Sequence, residues 1–340
     1  MKTPIADFVS EYASKQISRF HMPGHKGKTF LGPEKYDITE IDGADVLYSA
    51  DGIIKESESN ATGLFGSAAT FYSTEGSTLC IKAMLSLICK GKKEKPLILA
   101  ARNVHKAFIY AAVLLDFDIE WMYSAGDDHL CSCVLTAQEV ENYILKSEKA
   151  PDALYITSPD YLGRMWDIEE LSLICDKYDI PLLVDNAHGA HLAFMEERLH
   201  PIQLGADLCC DSAHKTLPVL TSGAYLHIRN AELAKQAKNA LTLFGSTSPS
   251  YLIMLSADRA LSYIHGQLRE DLRKTADITA NLRAIAEKKG FYLPENCDPV
   301  RLTLGIAQAG FDADSFGTLL RSHQIEPEYL SDTGCVLLLS

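Results

Sequence analysis

No apolar run in this sequence approaches the roughly 20 residues that a membrane-spanning helix needs. The first fifteen residues, MKTPIADFVSEYASK, carry acids and no apolar core, so they do not read as a secretory signal. The expected compartment is therefore the cytoplasm. Basic charge is also in deficit, with 32 Lys and Arg against 45 Asp and Glu, a net charge of -13. That balance speaks against a nucleic-acid surface, which needs a basic face. Paired cysteines are missing too. The nine cysteines are odd in number, scattered, and mostly inside apolar runs such as LSLICK and ADLCCD. They are expected to be buried and reduced, not a disulfide framework. Cys131 and Cys133 are too close for a zinc knuckle, so no metal is expected there. Internal repeats and low-complexity tracts are absent.

What is present is alternation. KPLILAA, DIEWMYS, PDALYITSP, IPLLVDNA, ADLCCDSA and GAYLHI read as short apolar strands. Between them, STLCIKAMLSLICK, VHKAFIYAAVLLD and DIEELSLICDKYD carry apolar residues at helical spacing, the last opened by Asp167 as a cap. Apolar strands separated by amphipathic helices indicate an α/β domain with a mainly parallel sheet between helices. Residues 1–45, rich in Pro and Gly, read as an irregular arm, and 46–256 as the large domain. Residues 257–340 begin with one long helix or two. PVRLTLGI, DADSFGTLLRSHQI and CVLLLS then start a smaller α+β domain. It is expected to be incomplete, its last strand left as an open edge.

Two tempting motifs fail. GHKGKT at 24–29 resembles a P-loop ending, but Met22 stands where the first glycine belongs, and no strand precedes it. Asp185, His188 and His191 in DNAHGAH follow a strand and enclose a glycine, unlike helical metal-ligand pairs.

In parallel sheets, ligands gather at the carboxyl ends of strands. Asp185 ends one strand, Ser158 and Pro159 another, and Ser212 to Lys215 a third. Pyridoxal phosphate would use all of these pieces. It needs a lysine for its aldehyde, an acid for its pyridine nitrogen, a flat side chain for its ring, and amides and hydroxyls for its phosphate. Lys215 is the candidate lysine and Asp185 the acid. His105 opens a helix where it can stack on the ring. Gly76, Ser77 and Thr78 start a helix suited to an anion, and Ser212 and His214 lie beside Lys215. Each residue alone has an ordinary explanation as a cap, a turn or a boundary residue. Their order is far more specific than any one member.

The stretches RFHMPGHKG, STEGST, RNVHKA, LLVDNAHGAH, DSAHKTLPVLTSGAYLHI and STSPSYLIMLSADRA together resemble the ornithine/lysine/arginine decarboxylase family. The likeness runs from about residue 5 to residue 260, and more weakly through IEPEYLSDTGCVLLLS. It implies the aspartate-aminotransferase-like fold of type I pyridoxal-phosphate enzymes, with a seven-stranded sheet. It also implies decarboxylation of lysine, arginine or ornithine to carbon dioxide and a diamine or agmatine, within polyamine biosynthesis, by a homodimer or larger homo-oligomer. In the family's terms Lys215 forms the Schiff base, Asp185 pairs with the pyridinium, His188 lies beside it, and His105 stacks. Ser77, Thr78, Ser212 and His214 serve the phosphate, while Ser246, Thr247 and Ser248 approach from a partner subunit. His25 and its arm also lie near the site. Two departures stand out: Asn186 replaces a usual glutamate, without expected loss of the cofactor, and relatives continue about a domain further. Two rivals remain, another type I reaction such as transamination or β-elimination, and a noncatalytic cofactor-binding chain.

Overall fold

The apolar runs assemble into one seven-stranded sheet in the computed structural model, which describes residues 1–125 and 129–339. Helices α1 (Pro4–Ser14) and α2 (Ile53–Phe65) precede strand β1 (Ala69–Ser73). Next come α3 (Gly76–Cys89), β2 (Leu97–Ala101), α4 (Lys106–Leu115) and β3 (Asp118–Met122). They are followed by α5 (Ala137–Lys146), β4 (Ala153–Thr157), α6 (Ile168–Tyr178) and β5 (Leu182–Asp185). Strand β6 (Leu208–Asp211), the single turn α7 (Ala213–Thr216) and β7 (Ala224–Ile228) complete the sheet, whose order is β1-β7-β6-β5-β4-β2-β3. Strands β3, β2, β4, β5 and β6 run parallel, and β7 is antiparallel to both of its neighbours. The central parallel strands β2, β4, β5 and β6 are largely apolar because both faces are covered, whereas β3, at the sheet edge, carries Asp118 and Glu120. Ile98, Ala100, Tyr155 and Leu183 meet α3 and α4. Leu99, Ala101, Ile156 and Val184 meet α5 and α6 on the other side.

After α8 (Ala231–Ala234) and α9 (Ala237–Phe244), the long helical pattern resolves into α10 (Tyr251–Gly266) and α11 (Leu268–Lys288). The break falls at Gln267, which ends one helix and starts the next. The chain then forms β8 (Arg301–Leu304), α12 (Ala313–Ser322), β9 (Tyr329–Leu330) and β10 (Cys335–Leu338). These strands make a separate antiparallel sheet of order β8-β10-β9. The last strand is therefore central, paired on both sides, and not the open edge that its apolar sequence suggests. Arg301 ties this small sheet to the large one. Its buried guanidinium donates to the carbonyls of Asp160 (3.0 Å) and His188 (3.3 Å) and pairs with Asp298 at 3.6 Å.

The N-terminal arm also differs from expectation. Residues 4–14 are helical, with Pro4 in the first turn, where its missing N–H costs nothing. Ile5, Ala6 and Val9 are buried, and Ile5 and Val9 share one core cluster with residues of α2 and α10. Asp258 of α10 accepts the Ala6 backbone N–H at 2.9 Å and the Ser57 hydroxyl. Burial, only partly offset by these bonds, pushes the Asp258 carboxyl up from 3.8 to about 6. A raised carboxyl stabilises the fold below its unfolded pKa, and that contribution is lost as pH rises through the folded value. Asp258→Asn should therefore match the parent near pH 3 and exceed it by up to about 3 kcal/mol above pH 7, with the difference growing between pH 4 and 6. Urea unfolding of both proteins across that range checks it, and a difference that does not vary with pH would refute it.

Candidate active site

Strand register brings the site together. Thr157 of β4 lies opposite Asp185 of β5, which lies opposite Cys210 of β6, all at the carboxyl rim of the parallel strands. A cleft of about 460 Å³ opens above this rim. Its walls include Gly76, Ser77, Thr78, His105, Asp185 and His188, and also Ser212, His214 and Lys215. Nine of the residues singled out from the sequence thus share one cavity.

At the floor, Asp185 is buried. It accepts from the Ala187 N–H (3.2 Å), the Tyr155 hydroxyl (3.3 Å) and the Cys210 thiol (3.6 Å). These bonds are few and long for a carboxylate. Burial pushes its pKa up, and His105 and Lys215 pull against that shift. The site thus holds a carboxylate that gains from a cation placed against it.

Lys215 comes from α7, the turn that β6 feeds directly. Its Nζ lies 3.0 Å from His188 Nε2. Burial pushes the Lys215 amine down, with Asp185 the main opposing influence. His188 is pushed well below its ordinary value, first by burial and then by Lys215. It is a neutral ring. Its Nδ1 is buried without a hydrogen-bond partner, as is Thr157 Oγ1, which faces the same cleft. His105 caps α4 by accepting the Ala107 N–H on Nδ1 at 3.2 Å, and its ring stands exposed on the wall.

The far end of the cleft presents backbone donors at a helix start. Helix α3 starts there with no side-chain cap, so its first-turn amides are open to a ligand. Gly76 turns the chain with φ of 71°, donates to the Ser222 carbonyl at 2.7 Å, and has nothing within 4 Å of where a Cβ would stand. The Ser212 hydroxyl donates to Ser77 Oγ at 2.9 Å, which joins the α3 and α7 turns. His214 is held by the Gly223 carbonyl, 3.0 Å from Nδ1.

Ser246 and Thr247 are not on this wall. They are exposed beyond α9, as is Ser248, and the Ser246 backbone N–H donates to Glu75 at the cleft mouth (2.6 Å). His25 also lies off the lining; it contacts Asp37 at 3.2 Å. Ser158, read as a strand-end site residue, instead accepts the Trp166 N–H at 3.2 Å, and its neighbour Thr157 faces the cleft. Tyr161 was missed as well. Its hydroxyl donates to Glu328 at 3.1 Å, and its ring meets His188 edge-on at 5.1 Å. Nothing in the local sequence signals a partner 167 residues away.

His191 separates from Asp185 and His188, pairing with Asp298 at 2.9 Å, so DNAHGAH forms no common ligand set. Behind the site, His200, Cys209 and Asp211 could in principle surround a metal. Hydrogen bonding argues otherwise. His200 Nδ1 accepts the Ile202 N–H (3.4 Å), which leaves the ring proton on Nε2, aimed at Asp211 (3.0 Å). A metal would need that nitrogen bare. Chelator dialysis or added zinc should therefore leave the melting temperature of the purified protein unchanged to within about 1 °C, since a ligand stabilises only by binding the folded state. A zinc-dependent rise that Asp211→Asn abolishes would show the opposite.

Comparison with known proteins identifies the family and the fold. The family described as Orn/Lys/Arg decarboxylase, major domain, matches residues 3–304. An arginine decarboxylase of Bacillus subtilis is 30% identical over 99% of this chain and 73% of its own length. A lysine decarboxylase of Francisella novicida superposes with a TM-score of 0.85 at 19% identity. That match covers 99% of this chain, which spans only 57% of the decarboxylase. An alanine–glyoxylate aminotransferase of Nostoc superposes at 0.66 with 15% identity, over 84% of this chain and 81% of its own. The structural likenesses establish the fold, that of aspartate-aminotransferase-like enzymes.

Proposed function

Because the chain belongs to the Orn/Lys/Arg decarboxylase family, whose enzymes work with pyridoxal 5'-phosphate, we propose that it removes the α-carboxylate of a basic amino acid, lysine, arginine or ornithine. The products are carbon dioxide and a diamine or agmatine. The observation that carries this reading is the pairing, in one cleft, of a poorly satisfied buried carboxylate with a half-buried lysine.

The residues present fit the cofactor. Asp185 answers the ring nitrogen, Lys215 the aldehyde, and the exposed ring of His105 the cofactor face. The uncapped start of α3, with Gly76, Ser77 and Thr78, answers the phosphate together with Ser212 and His214. When bound, the cofactor supplies an electron sink for the bond to the departing carboxylate. Lys215, its ammonium disfavoured by burial, is the amine placed to hold or deliver a proton, with His188 Nε2 at 3.0 Å as its neutral partner. The Glu328 carboxylate beside Tyr161 suits the cationic end of the substrate. Lys215 registers its charge as well, since Glu328 is among the groups opposing the downward shift.

Helix α4, next to the site, exposes Ile109, Tyr110, Val113 and Leu114. That apolar face supports assembly with a second copy. In such a homodimer Ser246 and Thr247 would reach the partner's phosphate.

The purified chain with added pyridoxal phosphate should show a visible band that borohydride bleaches, and Lys215→Ala should lack it. Carbon dioxide and amine should form in equal amounts; keto-acid product would point to transamination and sink the proposal. Glu328→Gln should raise KM for the preferred basic amino acid by about tenfold while kcat falls much less, the pattern of lost uniform binding. An unchanged KM would remove Glu328 from substrate recognition.

A further inference from the structure

Asn186 follows Asp185 directly, and its side chain is fully buried. Three of its groups are tied. Its backbone N–H donates to the Cys210 carbonyl (2.9 Å), and its own carbonyl accepts the Gly189 N–H (2.8 Å). Its side-chain amide donates to Asp211 Oδ1 at 2.6 Å. Gly189 is packed so tightly beside it that a Cβ there would overlap Asn186 Oδ1. The amide therefore has little room to move.

Asp211, the residue before Ser212, is equally buried. While Oδ1 takes the Asn186 amide, Oδ2 accepts Nε2–H from both His200 and His227, each at 3.0 Å. His227 in turn has Thr70 Oγ1 at 2.8 Å from Nδ1, and burial keeps the ring neutral. The Cys209 thiol adds a weak contact at 3.7 Å. One carboxylate thus collects three strong donors and holds the whole negative charge of the cluster.

We propose that Asn186 and Asp211 form a positioning pair for the cofactor site, locking the strand tip that bears Asp185 to the strand tip that feeds Ser212 and Lys215. The inference rests on the pyridoxal-phosphate reading above. The polarity of the pair matters as much as its presence. While residue 211 is a carboxylate, residue 186 must donate, because a second carboxylate there would face Asp211 in the buried interior with no donor between them. Such a group is destabilising unless it is neutralised or matched by a donor.

The geometry also dictates a rescue. In Asn186→Asp combined with Asp211→Asn, the side-chain oxygen at position 211 can stand where Oδ2 stood and accept both histidines. The amide nitrogen at 211 then stands where Oδ1 stood and donates to the carboxylate at 186. The bond is restored with its direction reversed.

Pyridoxal-phosphate affinity and the visible band, with melting temperature alongside, test this on the full chain. Asn186→Asp should weaken cofactor binding by about tenfold or more, as expected for an unmatched buried charge. The double variant should return to within about threefold of the parent, since it restores one hydrogen bond of ordinary strength. Parental affinity in Asn186→Asp with only a lowered melting temperature would overturn the inference, and so would a double variant no tighter than the single. If Asn186→Asp is insoluble, the double variant decides alone: soluble with parental affinity supports the pair, and insoluble or tenfold weaker overturns it. A parent that forms no band at all would instead refute the cofactor reading, and this inference with it.

Discussion

Everything at the rim of the large sheet is organised by two aspartates buried on neighbouring strands, Asp185 and Asp211. A carboxylate without water is tolerable only when donors or cations replace its hydration. The two are treated in opposite ways. For Asp211, burial alone would raise the pKa, but His200 and His227 outweigh it and hold the group well below the ordinary carboxylate range. For Asp185 the donors are too few, burial wins, and the pKa is pushed up. The first aspartate is finished by the fold; the second is left wanting a positive partner. Neighbouring strands thus carry a rigid support and a reactive place side by side.

The remaining chemistry follows from that contrast. Lys215 stands where the field of Asp185 opposes the loss of its proton to burial, and the neutral His188 ring lies on its other side. Neither shift arises from the residue itself. A lysine on a solvated loop or a histidine on a surface helix would titrate normally. The helix start of α3 adds positive potential at the far end of the cleft without adding a charged side chain.

Much of this was legible in the sequence because it is local. Strands announce themselves as short apolar runs, and the site residues at 76–78, 105, 185–188 and 212–215 sit at the ends of such runs. Asp167 capping α6 was readable for the same reason; it accepts the Glu170 N–H at 3.0 Å. What could not be read depends on pairing between distant segments. Strand β1 has no pattern of its own strong enough to mark it, and is defined by its register with β7, Tyr72 opposite Tyr225. Helix α1 was hidden behind the Pro- and Gly-rich composition of the residues that follow it, though Ile5 and Val9 already carry helical spacing. Tyr161 with Glu328 and Asn186 with Asp211 are chemical pairs made only when the chain has folded back on itself. The replacement of glutamate by asparagine at 186 looked inconsequential in the sequence. The bond of Asn186 to Asp211 became visible only in the fold.

The hydroxyl contact between Ser77 and Ser212 spans 135 residues of chain. It joins the turn after β1 to the turn after β6, two strands that β7 alone separates in the sheet. Contacts of such long range close late, since their loop entropy must be met before they reward the chain. The far end of the cleft therefore exists only where distant segments have paired, and no local stretch of sequence can form it alone. A ligand held at that end would bind the folded chain and not the unfolded one, so its binding energy would add directly to the stability of the sheet that carries it.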